Sequence, residues 1–462
     1  MSVREKNDPE TEASGRGEFS TLFALSAPIA LAQVGSMLMG VVDTMMIARV
    51  GVAELAAAAI ASTWVWSSSS LAQGVVHGMD PIVSQAHGAG DQEGVALALQ
   101  RGLVLAVLVS IPLMLLWSAT ETILGWLGQD PEVAALTQIY IMARLPSALG
   151  FLLFIALRQY LAGRGITRPA MWIMLGGNVV NILLNWALIF GHLGFPPLGL
   201  YGAGIATGIT NLILPLALWA WIRFFNLHRN AWRAWDRRSF ELAGLGRFFR
   251  LGLPVGVQLA LEANAFTVAM VMVGWMGVVE LAAHQIVMNM ASLTFMFPLG
   301  IAIGAGARVG NLIGARKAAQ LRLACRTGLL MGGGVMTIAA VIMVVYREAL
   351  PRFYIADFEV VTLASLLLPV AAAFQIADGL QVVGGGLMRG MGKPQAGAVV
   401  NLVGFYVIGL PLAYGLAFPG GMGLVGIWWG IAAGIGGVAV MLCAWVYRTS
   451  ERPLDELSVD TR

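Results

Sequence analysis

The sequence predicts an all-α polytopic membrane protein, with twelve transmembrane helices in two parallel six-helix repeats around a central cleft. Three observations carry that prediction. Of 462 residues, 58% are hydrophobic and only 11% are charged, against about 25% charged in an average soluble domain. Apolar stretches recur from Leu22 to Tyr447 and are near-continuous rather than alternating, which argues against a transmembrane barrel. The second half of the chain also repeats the first at a nearly constant offset.

A helix needs roughly 20 apolar residues to cross a bilayer. Twelve such segments fall near 21–48, 52–79, 98–118, 134–157, 169–190, 199–222, 250–275, 279–304, 323–345, 360–386, 395–417 and 423–446. They group into an N-lobe over 19–223 and a C-lobe over 250–447, joined by a basic linker over 224–249. Polar tails at 1–18 and 448–462 flank them. The first tail is too polar for a cleaved signal peptide.

Orientation follows from the positive residues. An N-terminus in the cytoplasm puts the cluster from Arg223 to Arg250 inside, with Arg308, Arg316, Lys317, Arg322 and Arg326 in another inside loop. Arg164, Arg168, Arg389 and Lys393 join them, and only Arg49, Arg347 and Arg352 fall outside. Both termini are therefore expected in the cytoplasm. The net charge of +3 reflects these flanking residues and is no nucleic-acid footprint. Two cysteines, Cys325 and Cys443, make neither a disulfide framework nor a metal-ligand spacing.

A shift of 226 residues superimposes Pro28 on Pro254, Gly74 and Gly78 on Gly300 and Gly304, and Gly88-Ala89 on Gly314-Ala315. The run Gly51-Val52-Ala53-Glu54-Leu55 falls on Gly277-Val278-Val279-Glu280-Leu281. Farther on, the shift slips to 225 and then 224, pairing Gly199-Leu200-Tyr201-Gly202 with Gly423-Leu424-Val425-Gly426. Six spans separate equivalent points, so the copies share one membrane orientation, and a site is expected at their interface. The repeated GxxxG spacing is read as close helix packing, and Glu54 and Glu280 as helix-start acids.

Three acids lie inside spans: Asp43 in the first, Glu262 in the seventh and Asp378 in the tenth. A charge at mid-bilayer costs about 2.5–3.5 kcal/mol on insertion scales, so such residues face a cavity or a partner. A carboxylate there can hold a proton, a sodium ion or a cationic ligand and release one as another arrives. It can equally stay protonated and hydrogen-bond between helices. Under the repeat, Asp43, Glu262 and Asp378 fall on Ala269, Ser36 and Leu153. The scaffold is duplicated and the acids are not, which points to function. Arg144 in the fourth span is a candidate counter-charge. Asn178, Asn181, Asn185, Gln285 and Asn289 offer oxygens to a hard cation or bonds between helices. His77 and His284 are read first as packing residues, and most methionines as core.

The Val-Val-Asp-Thr run at Asp43, the Gly-Val-Ala-Glu-Leu-Ala-Ala-Ala segment and Pro81-Ile82-Val83-Ser84-Gln85-Ala86-His87-Gly88-Ala89-Gly90 resemble multidrug and toxic compound extrusion (MATE) transporters. Glu262, Asn181 with Asn185, and Gln375-Ile376-Ala377-Asp378-Gly379-Leu380-Gln381 ahead of Arg389-Gly390 bring the resemblance nearest the NorM branch. It spans residues 20–446. The resemblance implies secondary active export of organic cations and drugs across the bacterial inner membrane, coupled to inward sodium or proton flow. It assigns Glu262 and Asp378 to a C-lobe cation site, and Asp43 with Asn181 to an N-lobe counterpart, all three acids being possible sodium ligands. Phe374 stands where NorM-type proteins can carry a tyrosine, so a ring face remains without its hydroxyl. Asp80 is unusual at its position.

The expected partners are small organic cations and the bilayer, with no nucleic acid, no obligatory protein partner and no cofactor beyond the coupling ion. A flippase for lipid-linked precursors is the alternative, and it would need a basic cavity. A passive channel fits the duplicated lobes less well. No HExxH, phosphate-loop or Ser/His motif supports an enzyme.

Overall fold

The computed structural model describes residues 15–229 and 231–460. Residues 1–14 of the N-terminal tail, and Thr461 and Arg462, lie outside the described residues. The N-lobe runs through α1 (Gly15–Ile47), α2 (Val52–His77), α3 (Met79–Gly88), α4 (Gln92–Ser118), α5 (Thr120–Trp126), α6 (Pro131–Ala143), α7 (Ser147–Gly163), α8 (Arg168–Phe190) and α9 (Gly199–Phe224). A 3-10 turn at Arg237–Phe240 leads into the C-lobe. That lobe has α10 (Leu242–Gly274), α11 (Val278–Gly314), α12 (Ala318–Val345), α13 (Ala349–Arg352), α14 (Phe358–Gly390), α15 (Gln395–Asn401), α16 (Leu410–Ala417), α17 (Gly423–Ser450) and α18 (Leu454–Leu457). No strand occurs among the described residues.

Ten of these stretches, α15 with α16 counting as one, are long and apolar enough to cross a membrane, and α6 with α7 makes an eleventh, bent by 51°. The twelfth span is α2, whose 26 residues suffice in length although the Ser67–Ser70 run dilutes its hydropathy. Helices of 33 residues such as α1 and α10 extend about 50 Å at 1.5 Å per residue. They therefore outrun the hydrocarbon layer. Arg308 and Arg389, read from sequence as loop residues, accordingly lie within α11 and α14.

Two spans depart from the expected unbroken helix. The segment 134–157 breaks between α6 and α7 because Pro146 disfavours a helical conformation at the residue before it and removes a backbone donor. Arg144 caps α6 at that break. In the eleventh span, Leu402–Gly409 is wound as a π-helix. Pro411 supplies no N–H to the carbonyl of Val407, and the widened turn absorbs the mismatch.

Two separate hydrophobic cores define the lobes. One is built from α1 to α9 and the other from α10 to α18. Each lobe also lends one residue of its first helix to the other core: Leu22 of α1 packs in the C-lobe core and Phe248 of α10 in the N-lobe core. The 226-residue repeat superimposes those two positions.

The seam between the lobes follows the same pseudo-symmetry. A Cβ on Gly74 would strike the backbone of Gly256, and one on Gly78 the backbone of Gly252, where α2 crosses α10. Gly300 and Gly304 of α11 meet Ala30 and Ser26 of α1 in the equivalent crossing. Gly88 abuts the Asn311 carbonyl and Gly314 the Gln85 carbonyl. The recurrent glycines are thus packing residues, and what they pack is the opposite lobe. Gly74→Val is expected to destabilise the protein by about 1–3 kcal/mol, since backbone meets backbone and no side chain can yield. Gly40→Ala on α1, with nothing within 4 Å of a new Cβ, is expected to be neutral or slightly stabilising. Thermal melting of both variants in detergent checks the contrast.

The same end of the molecule carries its charged connections. The linker is pinned to the N-lobe by Tyr160 donating to the Ala231 carbonyl at 2.9 Å and Gln100 Nε2 to that of Arg233 at 2.9 Å. The C-terminal segment, expected to be a polar tail, folds back instead. Leu457 is buried in the C-lobe core and Val459 packs against the N-lobe core. Gln85 clamps the segment, donating to the Leu457 carbonyl at 3.1 Å and accepting from the Val459 amide at 2.7 Å. Asp460 pairs with Arg247 at 2.8 Å.

Candidate ion and substrate sites

In the N-lobe, Asp43 sits on the inward face of α1, only 7% exposed. Its carboxylate accepts from Asn185 Nδ2 at 2.5 Å and from Thr207 Oγ1 at 2.9 Å. Asn185 Nδ2 also donates to Asn181 Oδ1 at 3.1 Å, the two amides lying one turn apart on α8. The structure therefore brings Asp43 and Asn181 together through Asn185. Thr207, on α9, escaped the sequence reading, because threonines are common in spans and usually bond their own helix. Thr207→Val removes one of two donors to a buried carboxylate and is expected to cost about 1–3 kcal/mol, measured by thermal melting.

Arg144 lies near enough for its charge to act on Asp43, yet its guanidinium donates to the Tyr140 hydroxyl at 3.4 Å and lies over that ring. It forms no ion pair with any of the three acids among the described residues. Asn178 bonds the Met174 carbonyl of its own helix and takes no part.

In the C-lobe, Glu262 of α10 and Asp378 of α14 are close enough for their charges to interact. Asn401, at the start of the π-wound turn, donates to Glu262 Oε2 at 3.4 Å. Asp378 is 4% exposed and its Oδ1 has no hydrogen-bond partner. Buried and equally unpartnered are Gln381 Oε1 and Nε2, Asn401 Oδ1 and Gln375 Oε1. Buried polar atoms are nearly always satisfied, so the bare acceptors Asp378 Oδ1 and Asn401 Oδ1, the latter on the amide that bonds Glu262, suit a cation. A proton or a hard ion with oxygen ligands fits this donor set.

Phe374, one turn before Asp378, is buried in an aromatic cluster. Its ring meets Phe266 edge-on at 6.4 Å and Trp428 at 6.0 Å, and Trp428 meets His284 at 5.5 Å. His284 is thus a packing residue. Gln285 is exposed and reaches only Asn289, at 3.5 Å. It is not brought to either carboxylate. Asp43 belongs to one lobe and Glu262 with Asp378 to the other, so the three acids form two sites. No group of three or more His, Cys, Asp or Glu side chains gathers among the described residues.

Comparison with known proteins agrees with this architecture. The MatE family model matches twice, over residues 28–187 and 254–415, once in each repeat. The multidrug resistance protein NorM of Aliivibrio fischeri is 34% identical over 459 residues, covering 96% of this chain and 98% of that protein. NorM of Vibrio vulnificus is 34% identical over 442 residues, covering 94% and 97%. A crystal structure of a eukaryotic MATE transporter superimposes with a TM-score of 0.87 at 25% identity, covering 94% of this chain and 98% of that one. The Vibrio cholerae MATE transporter VcmN in its bent form gives 0.82 at 19% identity, covering 94% and 98%. Two pseudo-symmetric lobes, a MatE match in each and full-length relatives at this identity make the chain a member of the MatE family of membrane transporters.

Proposed function

We propose that the protein exports organic cations and drugs by antiport, with sodium ions or protons flowing inward through its lobes' carboxylate sites. The observation that carries this reading is the C-lobe pair. Asp378 is buried with a bare carboxylate oxygen, and the charge of Glu262 acts on it. Two such carboxylates cannot stay ionised and unpaired at low dielectric without cost, so they bind a cation and exchange it. The NorM relatives are named as multidrug resistance proteins, which supports the substrate class. Acidic candidate sites suit cationic cargo better than lipid-linked phosphates.

Each inward charge releases about 2.3 kcal/mol per 100 mV of membrane potential. Rocking of the lobes about the glycine seam would switch access between faces. The basic end, carrying the linker and the C-terminal segment, faces the cytoplasm under the positive-inside rule, and the host membrane is a bacterial inner membrane.

The test is transport of a fluorescent organic cation in proteoliposomes under a sodium gradient or a pH gradient imposed separately. Movement driven by one gradient names the coupling ion. Correctly inserted protein that moves the dye under neither gradient would reject the antiport reading.

A further inference from the structure

Asp80 is the acid that the antiport reading leaves without a role. It opens α3 just after the helix break at Gly78, and it faces a small cavity of about 10 Å³ in the seam. From the N-lobe, Asp80 and Gln159 line this cavity; from the C-lobe, Ala307 and Arg389 do.

Three side chains interlock on the N-lobe side. Gln159 Nε2 lies 2.6 Å from Asp80 Oδ1 and 2.6 Å from His77 Nδ1. His77 Nδ1 lies 3.3 Å from Asp80 Oδ2. One amide nitrogen carries two hydrogens, so it satisfies both neighbours only when Nδ1 carries no proton, and Nδ1 and Asp80 Oδ2 then face each other as two acceptors until a proton sits between them. Gln159 is 2% exposed, and its Oε1 is left without a partner. Turning the amide over would set Oε1 against the carboxylate, and two acceptors repel unless a proton lies between them. Amide orientation and proton count are therefore linked at this spot.

Arg389 faces the cluster from the other lobe. Its guanidinium has no hydrogen bond or ion pair among the described residues, and its charge acts on Asp80 and on Glu262 of α10. Arg158, beside Gln159 on α7, also acts on Asp80, but its guanidinium is held by Gln33 Oε1 at 2.7 Å. The other charged groups on packed elements are engaged elsewhere: Arg101 of α4 with Glu241, Arg308 of α11 with Glu18, and Arg164 with Tyr160. His87 lies two turns farther along α3.

We propose that His77, Asp80 and Gln159 form a proton-binding station in the seam, read across the cavity by Arg389. With Asp80 ionised, its attraction to Arg389 holds the lobes together at this end. A proton taken from water settles between His77 Nδ1 and Asp80 Oδ2, cancels the net negative charge and lets the lobes part. The station is distinct from the carboxylates of the two lobes. It rests on the rocking of the lobes in the antiport reading, not on the coupling ion's identity.

The experiment uses the full-length chain in proteoliposomes, with Ala307→Cys as the sole thiol in a Cys325→Ala, Cys443→Ala background. Labelling by a membrane-impermeant maleimide is followed from about pH 8 to about pH 6. Rates are normalised to an exposed Glu451→Cys control, which removes the thiol's own pH dependence. The normalised rate is expected to rise about tenfold as pH falls. Asp80→Asn and Arg389→Gln should label fast at both ends of the range. His77→Gln, which keeps an acceptor beside Gln159, should flatten the response if Asp80→Asn does not yield monodisperse protein. Asp378→Asn should lose transport yet keep the rise in labelling, which separates failure of the station from failure of the antiport site. A flat parent profile, a rise that survives in Asp80→Asn or His77→Gln, or one that vanishes in Asp378→Asn would overturn the proposal.

Discussion

Asp378→Asn is expected to abolish gradient-driven efflux of an organic cation while leaving the protein folded and inserted. The side chain is 4% exposed and one of its oxygens has no partner, so the amide inherits the same space with no hydrogen bond to break. Removing an ionisable group from the interior of a span relieves a desolvation cost. Melting temperature should therefore stay level or rise. Transport has no such latitude, because the amide can neither carry a proton nor neutralise a cation. Initial rates in proteoliposomes should fall at least about tenfold, the factor that 1.4 kcal/mol of lost interaction produces. Full activity in a well-folded variant would remove Asp378 from the mechanism. Asp43→Asn is a less clean probe, since Asn185 Nδ2 donates to that carboxylate at 2.5 Å and an amide there sets donor against donor in one of its orientations.

The lobes were legible in the sequence because a duplicated scaffold repeats its small residues. The glycines matched by the 226-residue shift turn out to be the contacts between the lobes. The three acids stood out because a carboxylate inside an apolar run is costly. What completes each site was less visible. Asn185 and Asn181 could be read as ligands or as helix glue, while Thr207 and Asn401 carry no charge to betray them and come from distant spans. The π-wound turn after Asn401 and the break at Arg144 are local consequences of Pro411 and Pro146, and a window that averages hydropathy passes over both. Gln285 is the contrasting case: its exposed side chain hydrogen-bonds only Asn289, one turn along α11.

The seam also contains a feature that the repeat does not duplicate, and removing half of it is expected to have a large effect on stability. Glu18 at the start of α1 is 1% exposed, and both its oxygens are engaged by Arg308 of α11, Nε at 2.9 Å and the second nitrogen at 2.8 Å. Such a bidentate pair is among the stronger charge-assisted arrangements. Under the 226-residue shift Glu18 falls on Gly244 and Arg308 on Ile82, so the α1–α11 crossing carries a charge lock that the α2–α10 crossing lacks. Arg308→Ala leaves a buried carboxylate alone and should destabilise the protein by about 3–5 kcal/mol. The double variant Glu18→Gln, Arg308→Met removes both charges and should recover most of that loss. Melting temperatures of the two singles and the double give the coupling directly. Because the pair joins opposite lobes, opening this end must break it. The single variant should therefore also raise labelling of a seam cysteine, and the double variant should not restore that closure along with stability. A single variant that melts within about 1 kcal/mol of the parent would mean that the glycine crossings alone hold the seam, and that the charge lock is incidental to it.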